Sequence, residues 1–240
     1  MIILYRIYQI LIMIPMMVVA TIITALTTII ASLLGGGRWW GYYPEILWSR
    51  LWCWLAFVKV TVSGRENIDD KTSYVFVCNH QGAYDIFAIY GYLGHNFRWM
   101  MKASLRKIPF VGLACECSKQ IYVDKSTPAK LRKTMSRAEQ QLQNGMSLVV
   151  FPEGSRTPDG KIHRFKRGAF MLADEFGLPV VPVTICGCYE VMPRTALLPK
   201  WGHIRLTIHK PIFPGPDGKY DLPKLMEESR EIIEQSLNGC

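Results

Sequence analysis

Two short polar clusters hold the residues best equipped for chemistry: Asn79-His80-Gln81-Gly82-Ala83-Tyr84-Asp85 and Pro152-Glu153-Gly154-Ser155-Arg156-Thr157. His80 and Asp85 stand five apart, and Gly82 between them permits a tight turn. A carboxylate that holds one imidazole nitrogen fixes the tautomer and leaves the other nitrogen to accept a proton, which makes a general base. If Asp85 is the N-cap of a helix over Ile86–Tyr92, its carboxylate faces back toward His80. On spacing alone a His followed by an Asp is usually structural, and the plain helix cap is the default reading. No serine sits in a Gly-x-Ser-x-Gly elbow, and Ser155 lies in Glu-Gly-Ser-Arg without that pattern. The nucleophile expected is therefore a substrate hydroxyl. In the second cluster Arg156 offers a planar fork suited to phosphate, and Gly154 lets the backbone come close to a ligand. Glu153 either holds Arg156 or binds substrate hydroxyls.

The elements that must position these clusters can be read from pattern. Short β-branched or aromatic runs predict strands at Tyr74–Cys78, Phe97–Met101, Ser147–Phe151, Pro179–Cys186 and His203–His209. Helical signals fall between them at Ile86–Tyr92, Pro128–Gln143, Arg167–Phe176 and Leu222–Leu237. This alternation predicts an α/β fold, a sheet flanked by helices. Both polar clusters come directly after strand signals, where catalytic groups gather in such sheets.

The 240 residues suit one α/β domain plus an appendage, and 50% hydrophobic content leaves apolar residues beyond those a core needs. A net charge of +9 points to an anionic partner. Between Phe97 and Arg167 there are 15 Lys or Arg against 5 Asp or Glu, so the basic field belongs to the middle of the chain. The seven cysteines include two Cys-x-Cys pairs without zinc-site spacing and are expected as reduced thiols. His163, His203 and His209 show no ligand spacing either, and no metal is expected.

From Ile7 to Leu34 no residue is charged. As a helix this run reaches ~42 Å, more than the ~30 Å hydrocarbon core of a bilayer. It is also too long for the apolar region of a signal peptide. Thr21, Thr24, Thr28 and Ser32 recur at helical spacing, a face another helix could approach or a set of hydroxyls bonded to their own helix. After Gly35-Gly36-Gly37 come five of the seven tryptophans, with Pro44 suited to the first turn of an interfacial helix to about Lys59. The expectation is residues 1–62 as a membrane-anchoring helical hairpin set into one leaflet and residues 63–240 as the catalytic domain. A single span is the alternative.

Asn79-His80-x-x-x-x-Asp85 and Phe151-Pro152-Glu153-Gly154-Ser155-Arg156 resemble the first and third signature blocks of the 1-acylglycerol-3-phosphate (lysophosphatidic acid) acyltransferase family. The segment from Lys102 to Gly112 is similar to the second block, and Val180-Val181-Pro182-Val183 to the fourth. Phe165-Lys166-x-Gly168-Ala169 is similar to the run that commonly comes after the third. Ser155 stands where threonine is commoner, and Lys125 where arginine is commoner.

The resemblance implies a mixed sheet flanked by helices and a membrane enzyme. In it His80 and Asp85 deprotonate the sn-2 hydroxyl of lysophosphatidic acid for attack on an acyl thioester. Lys102, Glu153, Gly154, Ser155 and Arg156 would hold the phosphate and glycerol. It implies no cofactor, acyl-CoA or acyl-carrier protein as co-substrate, and phospholipid membrane but no nucleic acid as a partner. It also implies a cytoplasmic-facing catalytic domain, consistent with Arg38, Arg50 and Lys59 beside the anchor. A hydrolase using the same base on water, acylation of another lysolipid, and a non-catalytic lipid-binding module are the alternatives.

Overall fold

The computed structural model describes residues 1–123, 128–142 and 145–240, so Lys125 and Gln143 lie outside the described residues. The chain contributes strands β1 (Val58–Ser63), β2 (Val75–Cys78), β3 (Phe97–Lys102), β4 (Ile121–Val123), β5 (Ser147–Val150), β6 (Val180–Cys186) and β7 (Gly202–Ile208). They form one mixed sheet in the order β1-β7-β6-β2-β5-β3-β4. The strands from β6 to β4 are parallel, while β7 runs antiparallel to β6 and carries β1 parallel beside it.

The central strands are buried from end to end, which is why they read as unbroken apolar runs. Successive side chains of β2 enter opposite cores. Phe76 and Cys78 join the layer under helices Tyr43–Leu55 and Tyr84–Tyr92, while Val75 and Val77 join the layer under helices Gly168–Phe176 and Leu222–Asn238. Because β2, β5 and β3 are parallel neighbours, their carboxyl ends lie along one sheet edge. Both polar clusters and Lys102 leave the sheet there.

The predicted strands and helices are present with ends shifted by one or two residues. Among the described residues, β1, β4 and the helices Val111–Cys117 and Cys188–Val191 go beyond the sequence reading. The second helix stops at Leu55, before Lys59. The chain then turns through Phe57, whose φ of 54° is left-handed, into β1. Lys59 is an outward-facing residue of that edge strand, paired with His203, and the boundary expected at residue 62 falls inside β1.

The apolar N-terminal run forms one helix over Ile2–Trp40, long and apolar enough to cross a membrane by length and composition. It passes Pro15 without breaking. A π-type turn over Gln9–Met13 absorbs the missing amide hydrogen, and the sharp bend falls at Gly35, where φ is 91°. Helix Tyr43–Leu55 then folds back on it. Thr28 donates to Glu45 Oε1 at 2.8 Å and Trp48 Nε1 donates to Thr21 Oγ1 at 2.9 Å. Thr21 also donates to its own helix at Met17 O, so both expected uses of the hydroxyl face occur.

Both ends of the long helix are fastened to the body. At one end Tyr5 Oη donates to Ala56 O, while Arg6 and Gln9 donate to Pro199 O. At the other, buried Arg98 of β3 donates to the carbonyls of Gly37 and Arg38 at 3.0 and 3.2 Å. One cysteine expectation is corrected: Cys186 at the end of β6 and Cys240 at the chain terminus form a disulfide, with Cα atoms 6.3 Å apart. Helix Leu222–Asn238 packs on β6 and brings the two together across 54 residues of sequence.

Candidate active site

The first cluster is built on a side chain that imitates a backbone. Asn79, fully buried, donates through Nδ2 to Ile185 O at 2.7 Å and accepts from Ile185 N at 2.8 Å, so it extends the β2–β6 ladder by one rung. This fixes where the next residue leaves the sheet. That residue is His80, and its Nδ1 lies 2.7 Å from Asp85 Oδ2. The same oxygen accepts from the backbone N–H of Gln81 at 2.7 Å and of Gly82 at 2.9 Å. Three converging donors compensate a carboxylate removed from water.

Asp85 is not the N-cap that spacing predicts. The helix starts at Tyr84, and Asp85 sits in its first turn with the side chain folded back onto the preceding loop. The reason is the loop itself: its amides at Gln81 and Gly82 point inward, and an acceptor one residue into the helix reaches them and the imidazole together. Since a carboxylate only accepts, His80 Nδ1 carries the proton and Nε2 is the free acceptor. Asp85 has 0% and His80 15% side-chain exposure, so the base is reachable and its orienter is not.

Gly82 is obligatory for close packing. A Cβ there would run into the carbonyl oxygen of Cys188, and the adjacent Ala83 N donates to Met192 O at 3.1 Å. The segment after β6 is thereby pressed against the His80 loop. Burial raises the thiols of Cys78 and Cys188 well above the ordinary range, and the Asp85 carboxylate adds to it. Neither is a ready nucleophile.

The second cluster closes on the first through three hydrogen bonds. Glu153 Oε1 accepts from His80 N at 2.8 Å, Thr157 N donates to His80 O at 2.8 Å, and Gln81 Nε2 donates to Gly160 O at 2.7 Å. The other Glu153 oxygen accepts from His163 N at 3.0 Å. Both oxygens of this buried carboxylate are thus occupied by backbone amides, and it clamps two loops without pairing with Arg156. Burial pushes its carboxyl above the usual range, against the partial relief of those amides. Phe151, the last residue before the cluster, stacks on the His80 ring and also on Trp99.

Of the predicted residues, Glu153, Ser155 and Arg156 line a cavity of about 350 Å³ together with Thr157, His163 and Arg194 among others; His80 and Asp85 are not on that wall, and His80 adjoins it through its backbone bonds to Glu153 and Thr157. Gly154 bends the rim, with φ at 78°, and a Cβ on it would strike Lys166 Nζ. Lys102 stands exposed at the carboxyl end of β3, on the same sheet edge but outside that wall. Arg194 was missed from sequence, because no motif surrounds it. His163 is half exposed with Nε2 3.0 Å from Asp159 Oδ1, and it lines the cavity.

A buried carboxylate behind an accessible imidazole, next to a basic cavity, agrees with the family to which the sequence is related. The model of the Acyltransferase family matches residues 59–186, so the chain belongs to that family. It is similar to particular members. It is 33% identical over 195 residues to the 1-acyl-sn-glycerol-3-phosphate acyltransferase BAT2, chloroplastic, of Brassica napus, covering 79% of this chain and 55% of that protein. A 1-acyl-sn-glycerol-3-phosphate acyltransferase of Pseudomonas aeruginosa is also 33% identical over 195 residues, covering 79% of this chain and 75% of that one. The crystal structure of the 1-acyl-sn-glycerophosphate (LPA) acyltransferase PlsC from Thermotoga maritima superposes with a TM-score of 0.77 at 25% identity, over 98% and 97% of the two chains. The chain spans little more than half the length of the plant relatives it matches.

Proposed function

We propose that this protein transfers a fatty acyl chain from a thioester to the sn-2 hydroxyl of lysophosphatidic acid, giving phosphatidic acid. The observation that carries the reading is the His80–Asp85 pair, 2.7 Å apart, beside a cavity whose wall holds two arginines. His80 Nε2 takes the proton of the acceptor hydroxyl as its oxygen attacks the thioester carbon. The C–O bond forms, the C–S bond breaks, and the departing thiolate takes the proton back from the imidazolium. Thiolates leave readily, so His80 serves both steps without a separate acid.

Arg156 and Arg194 hold the phosphate monoester, with Lys102 adding positive charge from the same sheet edge. Gly154 and Ser155 border the headgroup, and Glu153 keeps the loop in register. The scheme uses no resident cofactor. The donor is an acyl thioester of CoA or of an acyl-carrier protein, which present the same reacting group.

The anchor lies in one leaflet. A helix crossing the bilayer would carry its far end away from the catalytic domain, whereas both ends of Ile2–Trp40 are hydrogen-bonded to it, one through Arg6 and Gln9 to Pro199 O and the other through Arg98. That docking supports a helix lying along the membrane surface. The catalytic domain then faces the cytoplasm, the side on which Arg38, Arg50 and Lys59 would be favoured.

The test is acyl transfer by purified wild-type and His80→Ala protein, with free thiol followed in the presence and absence of lysophosphatidic acid. Thiol release that requires acceptor and is lost in the variant is expected. Release indifferent to acceptor would make the protein a hydrolase, and an unaffected variant would make the pair structural.

A further inference from the structure

The segment after β3 is a folded element with its apolar residues on the outside. It runs as a 3-10 turn over Ala103–Lys107 and a tight bend into helix Val111–Cys117. Leu105, Ile108, Phe110 and Leu113 are 39%, 44%, 52% and 55% exposed. Looseness does not account for this. Gly112 N donates to Ile108 O at 2.8 Å, and a Cβ on Gly112 would collide with the carbonyl oxygen of Arg106. Arg106 lies over the Tyr122 ring at 4.4 Å and pairs with Glu116 at 3.6 Å. Phe110 itself has φ of 59°, a conformation an L-residue adopts at a cost. Four large side chains are thus held outward by a bend that the interior does not require.

We propose that residues 105–113 form a third membrane-inserting element, a wedge that seats the active-site edge of the sheet on a bilayer containing anionic lipid. Two observations fix the occupant as lipid. The first is continuity: helix Val111–Cys117 packs against the Ile14–Ala31 part of the apolar N-terminal helix, which itself exposes Leu33, Leu34, Trp39 and Trp40 towards its far end. The second is charge: Lys102 precedes the apolar residues and Lys107 lies among them, both exposed, as suits contact with phosphate headgroups. Since Lys102 ends β3, the wedge and the catalytic edge share one border. A lysolipid with its chain still in the bilayer then meets His80 without leaving the membrane.

The inference rests on the membrane reading of the N-terminal helix, and the experiment separates the two. Full-length protein is reconstituted into phosphatidylcholine vesicles, with or without phosphatidic acid, that contain a phospholipid with a photoreactive acyl chain, and the adducts are mapped by mass spectrometry. Adducts are expected on both Ile2–Trp40 and residues 105–113, the latter rising with phosphatidic acid. Lys107→Glu should lower that rise about fivefold while adducts on the long helix persist. Adducts on the long helix with none at 105–113, or a chemical cross-link through that segment between two copies, would overturn the wedge alone. Absence of adducts at both sites would overturn the anchor as well.

Discussion

The imidazole of His80 lies flat on the ring of Phe151, with centroids 3.9 Å apart and planes 8° apart. Asp85 grips one edge of the imidazole, and Phe151 blocks rotation out of that grip. Phe151→Ala removes the backing at a cost of about 1 kcal/mol in ring contact plus lost packing. The expected result is a fall of about tenfold in kcat with KM for acceptor nearly unchanged, read from steady-state kinetics. An equal rise in KM would mean the ring serves binding.

Removing the base should cost most. His80→Ala is expected to lower kcat at least a hundredfold, and Asp85→Asn by a similar factor, because an amide in place of the carboxylate permits the wrong tautomer. The double variant should be no slower than the slower single one, since the residues act as a unit. Multiplicative losses would show that they act separately.

Arg156 and Arg194 approach the cavity from different loops, one after β5 and one after β6. Each alanine variant should raise KM for lysophosphatidic acid about tenfold or more, and Arg156→Lys should recover part of it, since a point charge lacks the fork. KM for the thioester donor should hold steady. A donor effect instead would reassign the cavity.

Glu153 carries a pH signature. Its folded-state carboxyl titrates above the usual value, so the folded chain takes up this proton before the unfolded chain does as pH falls. Between the ordinary and the raised value, the contribution of this group to stability therefore declines as pH rises. Glu153→Gln removes that contribution, and the difference in thermal midpoint between variant and wild type should move in the variant's favour as pH is raised through the window. Gln also turns an amide group toward His163 N, and activity should fall about tenfold. A pH-independent difference in midpoint would rule out the assignment.

Asn79→Ala leaves two buried groups of Ile185 without partners, which costs about 3 kcal/mol. A lower thermal midpoint with a proportionate loss of kcat is expected. Unchanged stability would mean that β6 re-pairs by itself.

The His80–Asp85 pair and both loops are legible in the sequence because each comes after an apolar strand and carries side chains with few other uses. Strands β2, β5 and β6 stand out for the same reason. Edge strand β1 does not, although Val58, Val60 and Val62 alternate correctly, because Lys59 reads as readily as a helix end. Spacing cannot tell a side chain that begins a helix from one that reaches back out of it, so Asp85 reads as a cap. Arg194 and the Cys186–Cys240 bond depend on how the chain returns after β6, which no local pattern encodes.

The long N-terminal helix has the composition of a detachable tether, yet Met13 and Met17 are each 1% exposed and belong to the same core as β2. Cutting the chain after Trp40 would strip a wall from the catalytic body and leave the guanidinium of Arg98 facing vanished carbonyls. A water-soluble fragment made by trimming the anchor should therefore precipitate, and detergent belongs in the preparation for the sake of the enzyme's own interior.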